Sequence, residues 1–155
     1  MYMKKLFNLF LMMAIATTIS LTSCKTDGCT DPTATNYDDK ADNDDGSCTF
    51  ERDAFIGTYN NCVDGCVAGS SFNMTITAAS ENTSTISISN FAGFGASYSI
   101  KATVSGNGIT LISGSLGTGT TLLSGSGTMN GNILTILYTY EDAFGTETCS
   151  ITATK

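Results

Sequence analysis

Asp38, Asp39, Asp42, Asp44 and Asp45 place five carboxylates within eight residues. Carboxylate oxygens are the hard ligands that calcium selects, and Asn36 and Asn43 could add amide oxygens. One common calcium loop can be tested by register. With Gly46 at its sixth position, the first ligand would be Ala41 and the twelfth Arg52, where a bidentate Glu is required. The helix–loop–helix type therefore fails, and a calcium loop of another geometry stays open beside the plainer reading of a solvated acidic spacer. Cys29 and Cys48 bracket the stretch, and Tyr37 is its one large side chain. A segment so poor in apolar groups cannot bury a core. A Cys29–Cys48 disulfide is expected to supply the order instead, by removing about 3 kcal/mol of unfolded-state entropy. Asp31-Pro32 and Asp45-Gly46 signal turns inside the loop.

Catalytic chemistry has little to draw on. The chain has no histidine and no tryptophan, which removes Ser-His-Asp and Cys-His arrangements and the commonest zinc ligand. Its glycine-rich stretch lacks the Lys-Ser/Thr that completes a phosphate cradle. Glu141, Asp142 and Glu147 flank one turn and are the single candidate acid–base group, but carboxylates beside an exposed turn are ordinarily just solvated. A non-enzyme is expected, with no cofactor unless calcium. Fourteen acidic against seven basic residues, for a net charge of −7, argue against nucleic acid and against adhesion to anionic lipid through charge.

The N-terminus carries a different chemistry. Lys4 and Lys5 precede an apolar run, Leu6 to Ala16, that is broken only by Asn8 and is too short to span a bilayer. Leu21-Thr22-Ser23-Cys24 then resembles the lipobox of bacterial lipoprotein precursors. The resemblance implies cleavage before Cys24 and acylation of that cysteine, so that the membrane, reached through lipid on Cys24, is the expected partner. Two or more acyl chains anchor stably, at about 0.8 kcal/mol for each buried methylene. The alternative is an ordinary secretory signal with Cys24 free or disulfide-bonded. Further on, Cys29-Thr-Asp-Pro-Thr-Ala-Thr-Asn-Tyr37, Ala41 and Asp44-Asp45-Gly-Ser-Cys48 are similar to a short module of secreted and surface proteins of the Bacteroidetes, with Asp39 where that module usually has proline. This resemblance implies export and lineage more than activity. Lys25 and Asp27 resemble surface-export signals of such lipoproteins, which implies the outer membrane, on its surface-facing or periplasmic side. The expected organisation is a signal peptide over 1–23, a lipidated tether over 24–27, the acidic module over 28–49 and a β domain over 50–155.

Beyond Phe50 the pattern is one of alternation. Phe72, Met74 and Ile76, then Ile86 and Ile88, then Tyr98, Ile100, Ala102 and Val104, then Leu134, Ile136, Tyr138 and Tyr140 are each separated by polar residues. Period two with one polar face means half-buried antiparallel strands. Asn107-Gly108 and Asn130-Gly131 are hairpin signals, and Asp142 to Gly145 gives a third turn. Eight strands are expected near 56–62, 71–79, 84–91, 96–105, 108–113, 119–128, 132–141 and 146–154. Such a meander closes into a small all-β antiparallel barrel or folds as a sandwich. Residues 113–127, rich in Gly, Ser and Thr, read as a poorly specified edge strand or a mobile mouth.

Phe55-Ile56-Gly57-Thr58-Tyr59 is similar to the opening of lipocalin-like barrels, with tyrosine in place of their tryptophan, which implies the same barrel architecture. The inward set (Phe72, Met74, Ile86, Ile88, Tyr98, Ile100, Ile109, Leu111, Ile136 and Tyr138) consists of ordinary core residues able to fill a narrow barrel, with a small-ligand cavity as the alternative. In a closed barrel the first and last strands are neighbours, so Cys62 or Cys66 can bond Cys149, with Cys66 preferred and one thiol left over. The function expected is that of an anchored, exported, non-catalytic β module with a structural or interaction role at the cell surface. A binder of a small apolar ligand and calcium-dependent adhesion through the acidic module are the alternatives.

Overall fold

The computed structural model of the chain describes residues 25–66, 71–117 and 119–155. The acidic module opens it. Two short strands, β1 (Asp27–Gly28) and β2 (Asn43–Asp44), pair in parallel, and Cys29 bridges to Tyr37. The module's fabric reaches back to Thr26, whose carbonyl accepts Asp42 N–H at 2.9 Å. Cys29 and Ala34 are the module's only buried apolar residues, while Tyr37 is 47% exposed. Order comes from polar ties: Asn36 donates to Ser47 O and accepts from Thr49 N–H, each at 2.8 Å.

A 3₁₀ turn, Glu51–Ala54, leads into the barrel, held by Asp53, whose carboxylate accepts Phe50 N–H at 2.7 Å. The strands are β3 (Gly57–Asp64), β4 (Ser71–Ala78), β5 (Thr85–Ser89), β6 (Ser99–Ser105), β7 (Gly108–Leu111), β8 (Gly114–Gly117), β9 (Thr120–Asn130), β10 (Ile133–Asp142) and β11 (Gly145–Thr154). All except β8 pair in chain order, antiparallel, and β11 returns to β3. The result is one closed eight-stranded up-and-down barrel, with β8 lying beside the start of β9. Closure rather than a two-sheet sandwich follows from pairing at both potential edges, since a barrel leaves no unpaired strand.

Alternation drives the packing. β6 reads exposed–buried throughout, with Ile100, Ala102 and Val104 inward, and β10 turns Leu134, Ile136 and Tyr138 inward. These join Met74, Ile76, Ile86, Ile88, Ile109, Leu111, Leu122 and Ile151 in one continuous core. Gly125 and Gly127 show how tightly it is filled. A Cβ at Gly125 would lie 2.5 Å from Leu111 Cδ1, and one at Gly127 would lie 2.8 Å from Thr135 O and 3.1 Å from Ile109 Cγ1.

Four expectations change in detail. In the segment 113–127 the expected edge strand is β8, which pairs with β9 alone, while β9 is built into the barrel wall rather than an open mouth. The segment supplies β8 and most of β9, the longest strand, which pairs with both β7 and β10. Its register with β10 shifts at Thr139/Tyr140, and Leu123 points outward, 41% exposed. Such an irregularity is invisible to a strict period of two. Two hairpins turn one residue away from the Asn-Gly pairs. Ser105 pairs with Gly108 and Asn130 with Ile133, which leaves Gly106-Asn107 and Gly131-Asn132 at the tips. Both tip glycines have positive φ, 58° and 59°, so glycine takes the first central position, where one of the two favoured hairpin turns needs it. Tyr98 precedes β6 and is 39% exposed rather than inward; its ring lies over Gly117, where a Cβ would come within 2.3 Å. Phe72 is only partly buried, against the edge of the core and Gly93.

Candidate functional site

The strand directions fix two different ends. At the near end lie the 3₁₀ turn, the β4–β5 and β6–β7 connections and the acidic module. Glu51 accepts Gly106 N–H at 2.7 Å, Thr33 meets Thr83 hydroxyl to hydroxyl at 3.2 Å, and Arg52 donates to Ala79 O at 2.9 Å and Thr85 O at 3.3 Å. The Arg52 guanidinium also lies 5.7 Å above the Phe50 ring, and its Nε is buried without a partner. Phe55 and Tyr59 stopper this end from within, with Tyr59 OH donating to Phe55 O at 2.8 Å. Burial pushes the Tyr59 phenol up to about 12.

The far end holds the densest chemistry. β3 finishes at Asp64, which the strand's parity turns inward beside Cys62, so its carboxylate is 3% exposed. Asp64 accepts Cys66 N–H at 2.8 Å on one oxygen and Tyr138 OH on the other. Burial, and then this bond to a carboxylate, push the Tyr138 phenol well above its ordinary value. Next to it Tyr140 donates to Glu147 at 2.8 Å, and that bond raises the Tyr140 phenol to about 12. Four rings cover these groups. Phe91 stands edge-on to Tyr138 at 4.9 Å, Phe94 edge-on to Tyr140 at 6.2 Å, and the two tyrosines stack at 6.0 Å. Phe91 follows β5 and Tyr138 lies on β10, four strands away around the barrel. The rings therefore meet across the interior.

The cysteines sort as follows. Cys29 is bonded to Cys48, and Cys66, not Cys62, is bonded to Cys149. The second bond clamps the seam where β11 meets β3. Cys62 faces the core as a free thiol, 3.4 Å from Tyr59 O, and burial raises its pKa. Asp64 lies within 4.8 Å of both sulfurs of the Cys66–Cys149 pair, the one such gathering of three candidate ligand groups among the described residues. Those sulfurs are committed to each other.

The five module aspartates are not gathered in that way. Asp38, Asp44 and Asp45 each fold back on the backbone two residues on, accepting Lys40, Gly46 and Ser47 N–H at 2.9, 3.0 and 2.9 Å. The Ser47 bonds hold the Asp45 carboxyl below its usual range. Asp39 and Asp42 lie between these turns. Glu141 and Glu147 do not form a pair either. Glu147 is opposite Tyr140 and Glu141 opposite Thr146, so the two carboxylates leave opposite faces of the hairpin. Cys24 lies outside the described residues.

Among the described residues the surface has hollows at the module junction and on the barrel wall. One, of about 430 Å³, separates module from barrel between Thr33, Thr35, Phe50, Glu51 and Thr83. The other, of about 320 Å³, lies along the β9–β10 wall beside Gly125 and Leu137. Asp64 and Phe91 are the site residues that sequence reasoning passed over. The signals present were the two-residue spacing of Asp64 from Cys62, beyond the irregularity at Asn61, and the two phenylalanines in Phe-Ala-Gly-Phe-Gly. No family model, no curated protein and no solved structure matches the chain.

Proposed function

We propose that this protein is an exported lipoprotein, anchored through acyl groups on Cys24, whose disulfide-closed acidic module spaces a non-catalytic barrel from the membrane for a structural or interaction role at the cell surface. The observation that carries the reading is the arrangement of the two parts. The module meets the barrel at its near end, where Thr33 touches Thr83, so an anchor ahead of the module would leave the far mouth facing away. The interior is taken up by the protein's own side chains, which fits a rigid display unit better than an open container. Of the rim carboxylates Glu141 faces away from Asp142 and Glu147, and Glu147 is engaged by the Tyr140 hydroxyl, which leaves little for general acid–base work.

The experiment is fractionation of cells fed a labelled fatty acid. The intact protein should take up label and sediment with the outer membrane, and Cys24→Ala should lose label and appear in the soluble fraction. Added protease should degrade the protein on whole cells. Unlabelled protein that still sediments would refute the lipid anchor, and full protection from protease would refute surface display.

A further inference from the structure

The two ends of the barrel are closed by different means. Phe55 and Tyr59 close the near end from a 3₁₀ turn and the first strand. The far mouth is closed by a loop residue, Phe91, which is 1% exposed although it belongs to no strand. That loop carries two of the three non-glycine residues with positive φ among the described residues, one on each side of Phe91. Asn90 has φ 54° and Ala92 φ 52°, followed by Gly93 at 76° and Gly95 at 114°. Asparagine tolerates this region, and here its amide is tied at both ends, donating to Asn73 O at 2.7 Å and accepting Gly95 N–H at 2.9 Å. Alanine has no such tie, and its Cβ makes the left-handed conformation costly. Backbone strain of this kind persists only where its surroundings enforce it, and it concentrates at switches and ligand clamps. Between the two strained residues Phe91 is seated edge-on against Tyr138, at 4.9 Å.

Beneath Phe91 lies a group that a plain core does not need. Among the described residues Asp64 is a buried carboxylate with two hydrogen bonds, from Cys66 N–H and Tyr138 OH, where an ionised carboxylate can accept about four. Among the same residues no basic side chain reaches it, and the ion pair is Lys101–Glu81, on the outer wall. A buried carboxylate with donors only on part of its lone pairs is poised for a cation.

We propose that the far mouth is a latent binding site for a small aromatic or alkyl amine, uncovered when Phe91 swings out and anchored by Asp64 with Tyr138. The apolar part of the ligand takes the place of the Phe91 ring against Tyr138, and its ammonium reaches the free lone pairs of Asp64. Asp64 within and Glu147 at the rim disfavour anions. The ligand binds only the open form, so its apparent affinity is scaled by the open fraction. Strain at Ala92 raises that fraction by making the closed form less stable. This goes beyond the display reading and does not depend on the Cys24 anchor.

The test titrates phenethylamine, uncharged ethylbenzene and anionic 3-phenylpropionate into the purified full-length protein and three variants, with calorimetry and the resonances of Tyr138 as readouts. The amine should bind about tenfold or more tighter than either counterpart, and Asp64→Asn should erase that preference. Phe91→Ala should tighten amine binding. Ala92→Gly, which removes the strain and keeps the plug, should weaken it about fivefold or more. Equal binding of all three compounds, no binding by either the unaltered protein or a folded Phe91→Ala, or indifference to Ala92→Gly would each overturn the inference. Should Phe91→Ala fail to fold, the Ala92→Gly and Asp64→Asn comparisons decide it.

Discussion

Asp64 and Tyr138 concentrate the residue-scale energetics. Each satisfies the other in a water-poor setting, and a buried acceptor stripped of its donor loses more than the bond was worth. Tyr138→Phe should therefore destabilise the barrel by about 1–3 kcal/mol, read as a lower urea midpoint. Tyr138→Phe combined with Asp64→Asn should cost less than the sum of the two single changes, because the second removes the charge that the first leaves stranded. Gly127 makes the opposite point, that absence of a side chain is also a packing choice. Gly127→Ala puts a methyl against Thr135 O and Ile136 Cγ1, at 2.8 and 3.0 Å. It should cost about 1–3 kcal/mol as an overpacking change, measurable in the same denaturation experiment. Asp64 itself was legible in part. The sequence alternation that turned Tyr59 inward breaks at Asn61, whose φ is 53°, and only beyond that irregularity does parity deliver Cys62 and Asp64 to the core.

At the scale of elements, the seam between β3 and β11 is the least regular join. It has three paired positions and a register shift between Thr152 and Thr154, against ten unbroken pairs for β10 with β11. The Cys66–Cys149 bond fastens that seam across 83 residues of chain. Replacing both cysteines by serine should lower stability by about 2–5 kcal/mol. The loss should be seen in calorimetry, with hydrogen exchange rising first in β3 and β11 and least in the β9–β10 hairpin. Uniform exchange through all strands would show that the seam is not the weak point. The hairpins were readable in advance because their signals are local: alternation on both arms and glycine-containing tips. The β9 irregularity and the role of β8 were not, since small residues such as Ser, Thr and Gly fit either face and leave parity undetermined.

For the whole molecule, charge is divided unequally. Seven of the fourteen acidic residues lie between Asp27 and Asp45, while the barrel wall is rich in Ser and Thr, and the barrel's response at high pH falls to its tyrosines. Tyr59, Tyr138 and Tyr140 all have phenols raised above the ordinary value of 10.0, by burial or by a carboxylate partner. The folded state thus holds these protons more tightly than the unfolded chain. Their contribution is complete below pH 10 and is lost progressively as pH rises from there through the folded values, being gone for Tyr59 and Tyr140 above about 12. Thermal midpoints should fall steadily above pH 10, and a phenolate absorbance titration should show Tyr138 ionising well above the ordinary phenol value. If the midpoint holds flat to pH 12, burial of these phenols does not contribute as argued.

The sequence by itself determined the strand-and-turn grammar, the disulfide-closed module and a domain built of antiparallel hairpins, because alternation, glycine at tight turns and a lack of apolar mass act over a few residues. Tertiary structure alone decided that the meander closes on itself, that Cys66 rather than Cys62 reaches Cys149, and that a loop phenylalanine packs on the tyrosine bonded to a buried aspartate. Those outcomes depend on where distant strands meet and on single-residue irregularities that reverse side-chain parity, neither of which leaves a mark on local pattern.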